Sequence, residues 1–570
     1  MTRTRLAVVC ALAALVASTS HAAGAPRHVP SDSRRPDTSA AATPNLARME
    51  HVIQSFVDNK RFMGAVLVAR GNDILLDKGY GFADLEWNVP NTPATKFRLG
   101  SITKQFTAAS ILLLEERGKL SVNDPVKKYI PDAPAAWDQI TIFNLLTHTS
   151  GIPSFTSFPD YASLEPFPTT PKALVARFKD KPLDFQPGEK WSYSNSGYVL
   201  LGYLIETVSG DPYAKFVQDN IFTPLGMKDS GYDSNSAIVP RRAMGYSPGP
   251  DGFVNAGYID MTIPFSAGGL YSTTEDLLRW QQGLFGGKLL SPVSLKKMTT
   301  PFKSEYAFGL GVHTRNGRTV IDHNGGIEGF NTSLAYYPDD KLTVVVLANE
   351  NGRAPEEVAA DLGRLAEGEN VVLASERKEA KIDPKTFEAY VGYYQLMPTF
   401  VLHVTRDGDH FMTQATGQGQ VEIFPESDHE FFAKAVDAQI TFVTDTTGHA
   451  TELILHQGGA DQHAPRVEGP PPAAAPRERT EVHVDLKILD SYVGTYQLTS
   501  NFSITISREG DHLFEQATNQ PKFEIFPEGE KQFFLKVVDA QITFVTDGAG
   551  HATGLVLHQN GTDLPGHRLE

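Results

Sequence analysis

Cysteine is almost missing from this chain of 570 residues, and Cys10 is its one thiol. An internal disulfide, a Cys-x-x-Cys metal site and thiol catalysis beyond that residue are therefore excluded. Long apolar runs are missing as well, and no stretch has the length needed to span a bilayer. Positive charge is in deficit: 51 Lys and Arg stand against 67 Asp and Glu, a formal charge of −16. That balance argues against nucleic acid or an anionic membrane as the principal partner. There is no His-Glu-x-x-His motif and no Gly-x-x-x-x-Gly-Lys-Ser loop, so neither a metal nor a nucleotide cofactor is expected. Gly-x-Ser-x-Gly is absent around Ser101, which argues against the strand-turn-helix nucleophile of an alpha/beta-hydrolase there.

What is present begins with an addressing pattern. A basic Thr2-Arg-Thr-Arg precedes the apolar Leu6 to Val16, and Ser20-His-Ala-Ala has small residues suited to cleavage after Ala22 or Ala23. Residues 1–23 read as a signal peptide, which makes the protein exported and removes Cys10 from the mature chain. Residues 24–44, rich in Ala, Pro, Ser and Arg, read as a disordered leader. At the other end lies a repeat. Tyr390-Val-Gly-Tyr-Tyr-Gln-Leu returns as Tyr492-Val-Gly-Thr-Tyr-Gln-Leu, and Asp437-Ala-Gln-Ile-Thr-Phe-Val-Thr-Asp returns unchanged from Asp539, an offset of 102 in both cases. Short alternating stretches separated by Gly/Asp turns predict a small antiparallel β-barrel in each copy, with an interior filled by Phe, Ile, Val and Leu. The copies span 380–468 and 483–570, and a proline-rich linker, 469–482, joins them.

Residues 45–370 have a different texture. A helix near Leu46–Lys60 is followed by a hairpin, Gly64 to Arg70 and Ile74 to Asp77; strands return at Leu334 and Leu342, and a last helix runs near Ala354–Leu365. Strands at both ends and helices between predict one mixed sheet built from the two ends of an α/β domain.

Within that domain Ser101 and Lys104 lie three apart at the start of an apolar helical run that contains Ile102, Phe106, Ala109, Leu112 and Leu113. The spacing puts both side chains on one face. A lysine packed against apolar neighbours loses its charge readily and can take the proton that makes serine a nucleophile. Ser294/Lys297 and Ser375/Lys378 share the spacing but sit in charged stretches, where a lysine stays protonated. Two further motifs are suited to acyl transfer. Tyr193-Ser-Asn195 offers a phenol that can act as a base and an amide that can orient Lys104 or bind substrate. His323-Asn-Gly325-Gly326 offers a histidine able to bond the tyrosine and the substrate, and glycines that admit a ligand close to the backbone. A backbone N–H there could complete an oxyanion hole with that of Ser101. His148, in Leu-Thr-His-Thr-Ser-Gly, reads as a structural loop residue.

With Phe97-Arg-Leu-Gly-Ser-Ile-Thr-Lys-Gln-Phe-Thr, Gly118-Lys-Leu-Ser-Val-Asn-Asp-Pro-Val, Leu145-Leu-Thr-His-Thr-Ser-Gly and Gly268-Gly-Leu-Tyr-Ser-Thr added, residues 48–367 resemble the serine beta-lactamase-related family, which includes class C beta-lactamases, D-aminopeptidases and penicillin-binding carboxypeptidases. The resemblance implies a beta-lactamase/transpeptidase-like domain and an acyl-enzyme on Ser101, with Lys104 and Tyr193 sharing the base role. Asn195 would hold Lys104 and the substrate, and Gly326 would complete the oxyanion hole. His323 falls where beta-lactamases proper carry the lysine of Lys-Thr-Gly, a tripeptide this chain lacks, as the D-aminopeptidase and esterase branches do. The repeats resemble lipocalin-like barrels appended to some members. The expected substrate is a small peptide or amide with D-residues, or an ester. A beta-lactamase, a D-Ala carboxypeptidase, and a penicillin sensor that acylates without turnover share the same motifs. None of these motifs names an oligomeric state.

Overall fold

A computed structural model describes residues 45–569, apart from 250–251, 316, 398–399, 417, 435–437, 458–459, 470–480, 500–501, 518–521, 537–539, 548–549 and 560–561. The signal peptide and leader expected from the sequence, and most of the proline-rich linker, lie outside the described residues. The chain divides near residue 371 into two units.

The first unit is built on a six-stranded sheet. Its strands are β1 (Gly64–Arg70), β2 (Asp73–Tyr80), β3 (Gly311–Arg315), β4 (Arg318–Ile327), β5 (Phe330–Tyr337) and β6 (Leu342–Ala348), in the order β3-β4-β5-β6-β1-β2. The two ends of the domain meet where Gly64 pairs with Ala348 and Arg70 with Leu342. All five ladders are antiparallel. β6 is buried along its whole length, as an inner strand covered on both faces must be. Five helices cover the sheet or carry the site: α1 (Leu46–Asp58), α2 (Thr103–Glu116), α3 (Asn195–Ser209), α4 (Thr274–Phe285) and α5 (Ala354–Ala366). Ala65, Leu67, Ala69, Val345 and Leu347 point into the helical core of α2, α3 and α4. The alternating Val66, Val68, Val344 and Val346 are equally buried on the other face, where α1 and α5 pack.

α2 departs from the amphipathic stripe its sequence suggests. It is buried from Thr103 to Leu114 on every side, so its polar residues must find partners inside the protein. Gln105 accepts a hydrogen bond from Trp280 Nε1 at 2.8 Å, and Thr107 Oγ1 donates to the Ser266 carbonyl at 2.7 Å. Lys104, the basic residue of that buried stretch, has nowhere to reach water.

One buried carboxyl is unsupported. Glu350 is 2% exposed and neither of its oxygens has a hydrogen-bond partner among the described residues. Burial pushes its carboxyl up from 4.5 to about 8, which the charge of Arg61 offsets only in part. The folded state therefore keeps the proton over a range where the unfolded chain ionises. The contribution to stability is whole below pH 4.5 and is lost as the pH rises towards 8. Glu350→Gln is expected to leave the melting temperature near wild type at pH 5 and to raise it on the order of 5 °C at pH 8; paired thermal melts at the two values check this.

The second unit contains two closed eight-stranded barrels, from Gly392–Met397 to Ala460–Val467 and from Gly494–Thr499 to Thr562–Leu569. Closure is secured alike in both. Tyr394 pairs with Arg466 and Tyr496 with Arg568 across the closing strands. Each arginine then donates to three backbone carbonyls, Ala389, Ala450 and Val391 for Arg466, and Ser491, Ala552 and Val493 for Arg568. Gly392 and Gly494 leave the space these guanidinium groups occupy, since a Cβ there would meet them at 2.9 and 2.7 Å. A stacked pair, Tyr390–Phe442 or Tyr492–Phe544, packs in the core of each barrel.

Candidate active site

Ser101 lies in a 3₁₀ turn, Gly100–Ile102, that leads directly into α2. The sequence suggests the first turn of an α-helix, but the 3₁₀ turn serves the same purpose, because three residues per turn bring positions three apart onto one edge. Gly100 supplies the positive φ, +54°, at which the chain enters the turn. Lys104 Nζ sits 2.9 Å from Ser101 Oγ. Tyr193, in the loop ahead of α3, donates its phenolic proton to the same oxygen at 2.8 Å. Asn195, the first residue of α3, accepts at Oδ1 from Lys104 Nζ at 2.9 Å. Two stretches far apart in the chain, 101–104 and 193–195, therefore meet at one oxygen. The other two Ser-x-x-Lys copies do not build such a site: Lys297, for one, pairs with Glu115 at 2.8 Å on the surface.

The environment sets the protonation states. Lys104 is wholly buried, which holds its amine well below the ordinary lysine range. Its other contacts are the Asn195 amide oxygen and the Ala267 carbonyl, both at 2.9 Å, and both can only accept. A neutral amine has two N–H bonds to give. With both given to these acceptors, the lone pair faces the Ser101 hydroxyl. Asn195 is held in that orientation because its amide nitrogen donates to Thr156 Oγ1 at 3.1 Å. The Tyr193 phenol goes the other way: burial raises it above the ordinary tyrosine range, and its bond to Ser101 offsets that only in part. Of the two candidate bases, the amine is the one whose burial favours loss of its proton.

His323, on β4, is buried but does not bond Tyr193 as its sequence context suggests. Its Nδ1 donates to the Asn324 carbonyl at 2.6 Å, which leaves Nε2 to accept from Tyr306 at 3.0 Å. Tyr193 has spent its proton on Ser101, and its ring centroid stands 6.4 Å from that of His323. Burial lowers the imidazole to about 4, so it is neutral in ordinary buffers. Gly326 places its backbone nitrogen beside Gly100, 2.8 Å from where a Cβ on that residue would stand. Gly325 does not make room for a ligand. The Leu99 carbonyl and the Thr332 hydroxyl fill the space over its Cα.

Four contributors carry no sufficient signal in the sequence. The Ala267 carbonyl and the Tyr306 hydroxyl sit in no motif with chemical content, and Thr156 acts only through Asn195. His148 stands in a legible motif, but the structure gives it more than a loop role. It adopts a left-handed φ of +55°, and from there its carbonyl accepts from Ser192 N at 2.9 Å while its Nδ1 accepts from Ser194 N at 3.1 Å. Both neighbours of Tyr193 are thus tied to one residue, whose ring lies 4.4 Å from the Tyr193 ring. Burial favours the neutral imidazole, which Nδ1 must belong to in order to accept. His148 is a positioning residue for Tyr193. His148→Ala is expected to lower kcat by about 10- to 100-fold with little change in KM. His148→Asn, which tolerates the left-handed backbone and keeps an acceptor, should restore most of that rate; a role in folding alone would lower melting temperature and leave the kcat of the folded enzyme intact.

Comparison with known proteins gives three results. A family model described as Beta-lactamase matches residues 49–368, and one described as a domain of unknown function (DUF3471) matches twice, at 376–467 and 478–568. A penicillin-binding protein of Bacillus subtilis strain 168 is 29% identical over 454 residues, covering 74% of this chain and 98% of that protein. Teichoic acid D-alanine hydrolase of Staphylococcus aureus strain MRSA252 is 30% identical over 307 residues, covering 53% of this chain and 73% of that protein. Among solved structures, an octameric penicillin-binding protein homologue from Pyrococcus abyssi superposes with a TM-score of 0.53 at 27% identity, covering 74% of this chain and 100% of that one.

Proposed function

Because the chain belongs to the beta-lactamase family across residues 49–368, we propose that it is an exported serine hydrolase that works through an acyl-enzyme on small D-aminoacyl amides or esters. The observation that carries this reading is the meeting of the Lys104 amine and the Tyr193 phenol at Ser101 Oγ, at 2.9 and 2.8 Å. In the first step Ser101 Oγ attacks the substrate carbonyl and its proton passes to the Lys104 lone pair. The oxyanion is met by the backbone N–H groups of Ser101 and Gly326. Collapse expels the amine or alcohol, which takes up a proton relayed from Lys104 through Tyr193. Water then attacks the ester on Ser101 by the same route in reverse, releasing the acid and restoring the serine.

His323 supports the choice of substrate. It stands where the resemblance places the lysine of Lys-Thr-Gly, and with its imidazole lowered to about 4 it offers no positive charge. A carboxylate on a β-lactam or on a peptide C-terminus would find a neutral imidazole there, already bonded to Tyr306. An uncharged ester or amide loses nothing by that exchange. One relative is named for releasing D-alanine from teichoic acid, which suits the same preference. Export rests on the basic, apolar and small-residue order of residues 2–23.

Fluorophosphonate labelling tests the nucleophile: wild type should be labelled and Ser101→Ala should not, and labelling that survives in the variant ends the assignment. A panel of D-aminoacyl anilides, p-nitrophenyl esters and a chromogenic cephalosporin tests the substrate. Faster turnover of the cephalosporin than of every ester and anilide would overturn the proposed preference.

A further inference from the structure

The two barrels are close copies, yet their interiors differ where the difference leaves space. The first barrel holds a cavity of about 40 Å³ lined by Leu402, Val421, Ile423, Ala433, Ile440 and Leu455, among others. One water needs roughly 10–15 Å³ on this measure, so the space suits about three heavy atoms. Its one buried hydroxyl, Thr413 Oγ1, has no hydrogen-bond partner among the described residues. Gln418, Gly419 and Gln457 complete the lining with polar groups.

The repeat offset of 102 shows what the second copy does at the same positions. Ile423, Ile440 and Leu455 have Ile525, Ile542 and Leu557 as counterparts, so most of the wall is unchanged. Four positions grow: Thr413 becomes Glu515, Gly419 becomes Pro521, Val421 becomes Phe523 and Ala433 becomes Leu535. Glu515 and Leu535 are buried, and Phe523 packs against the core of that barrel. A dry void inside a barrel forfeits dispersion contacts and costs stability. A chain that already encodes the larger residues in one copy and smaller ones in the other keeps that void at a cost.

We propose that the first barrel is a binding module for the end of a short, uncharged aliphatic chain bearing one polar group, with the chain among Leu402, Val421, Ala433 and Leu455 and the polar group on Thr413 Oγ1. The second barrel is the filled, non-binding counterpart. This inference stands apart from the acyl-enzyme reading, since none of its residues belongs to the catalytic domain.

The test titrates ethanol, which has three heavy atoms, into full-length protein with labelled Ile, Leu and Val methyl groups. The Leu402, Val421, Ile423 and Leu455 signals should shift and saturate while those of Ile504, Ile525, Ile542 and Leu557 stay fixed. Val421→Phe with Ala433→Leu, which installs the second barrel's residues, should abolish the shifts; if that pair fails to fold, Ala433→Val alone should weaken binding at least threefold. Thr413→Val should weaken binding of ethanol but not of xenon, which needs no hydrogen bond. Equal shifts in both barrels, no saturable shift in the first, or shifts that survive in a folded, filled variant would each overturn the proposal.

Discussion

Lys104→Met is expected to lower kcat/KM for a p-nitrophenyl ester by roughly 10³- to 10⁴-fold, the upper range for loss of a positioned general base. Methionine fills the space of the buried lysine but has no lone pair of comparable basicity to aim at Ser101. Tyr193 cannot take over, because burial holds its phenol above the ordinary range and its proton is already committed to Ser101 Oγ. Two pH dependences separate chemistry from stability. In wild type, activity should fall on the acid side as Lys104 takes up a proton, and that limb should vanish from the residual activity of the variant. Stability carries the matching sign. The buried amine has a folded-state pKa below its unfolded value, so the unfolded chain binds the extra proton and wild type gains stability as pH rises through that interval. Lys104→Met removes this slope, while leaving the Asn195 amide oxygen and the Ala267 carbonyl without their donor, a loss of about 1–3 kcal/mol for each buried acceptor. Initial rates and denaturant melts across the same pH series check both. A variant that keeps wild-type kcat would transfer the base role to another group.

How much of the molecule is legible in its sequence depends on how local each signal is. The hairpin of β1 and β2, the late strands β5 and β6, and the helices α1 and α5 all have periodic patterns contained within a dozen residues. The barrels are legible because the chain states them twice. The meeting of Ser101, Lys104 and Tyr193 can be anticipated because each group is a side chain with its own chemistry. Contacts made by the main chain cannot: the Ala267 carbonyl that turns Lys104 towards Ser101 has no residue-type signature. Burial on every side of α2 is hidden for a related reason. Its Thr, Ser and Gln residues look like a solvated face until Trp280, the Ser266 carbonyl and the Phe106 carbonyl are seen to bond Gln105 Oε1, Thr107 and Ser110 inside the protein. His148 shows the opposite case. Its motif stands out in the sequence, but its value lies in holding both neighbours of Tyr193, which only three-dimensional contact reveals. The barrel interiors read as uniformly filled, and the first copy holds a cavity where its residues are smaller than those of the second.

Gly325→Ala should damage turnover as well, though less than loss of Lys104 does, for a reason that has no chemistry in it. A Cβ at that position would stand 1.9 Å from the Leu99 carbonyl oxygen and 2.3 Å from Thr332 Oγ1, and these two are bonded to each other at 2.8 Å. Leu99 cannot simply retreat, since its N–H is given to the Leu270 carbonyl at 2.8 Å. Relief must therefore come from shifting the Leu99–Gly100 segment, and Ser101 is the next residue. Lys104 is anchored separately, by α2, Asn195 and Ala267, so it will not follow. A displacement approaching 1 Å between nucleophile and base is expected to lower kcat by about 100-fold, with overpacking costing about 1–3 kcal/mol of stability. Gly326 provides the contrast. A Cβ there meets only Asn331 Nδ2, at 3.4 Å, so Gly326→Ala should fold with a near-wild-type melting temperature and any loss should fall on substrate binding, read as KM. If both substitutions gave the same kinetic and thermal profile, the division between a glycine that admits the protein's own backbone and one that borders the substrate would be wrong, and both would return to a single role at the mouth of the site.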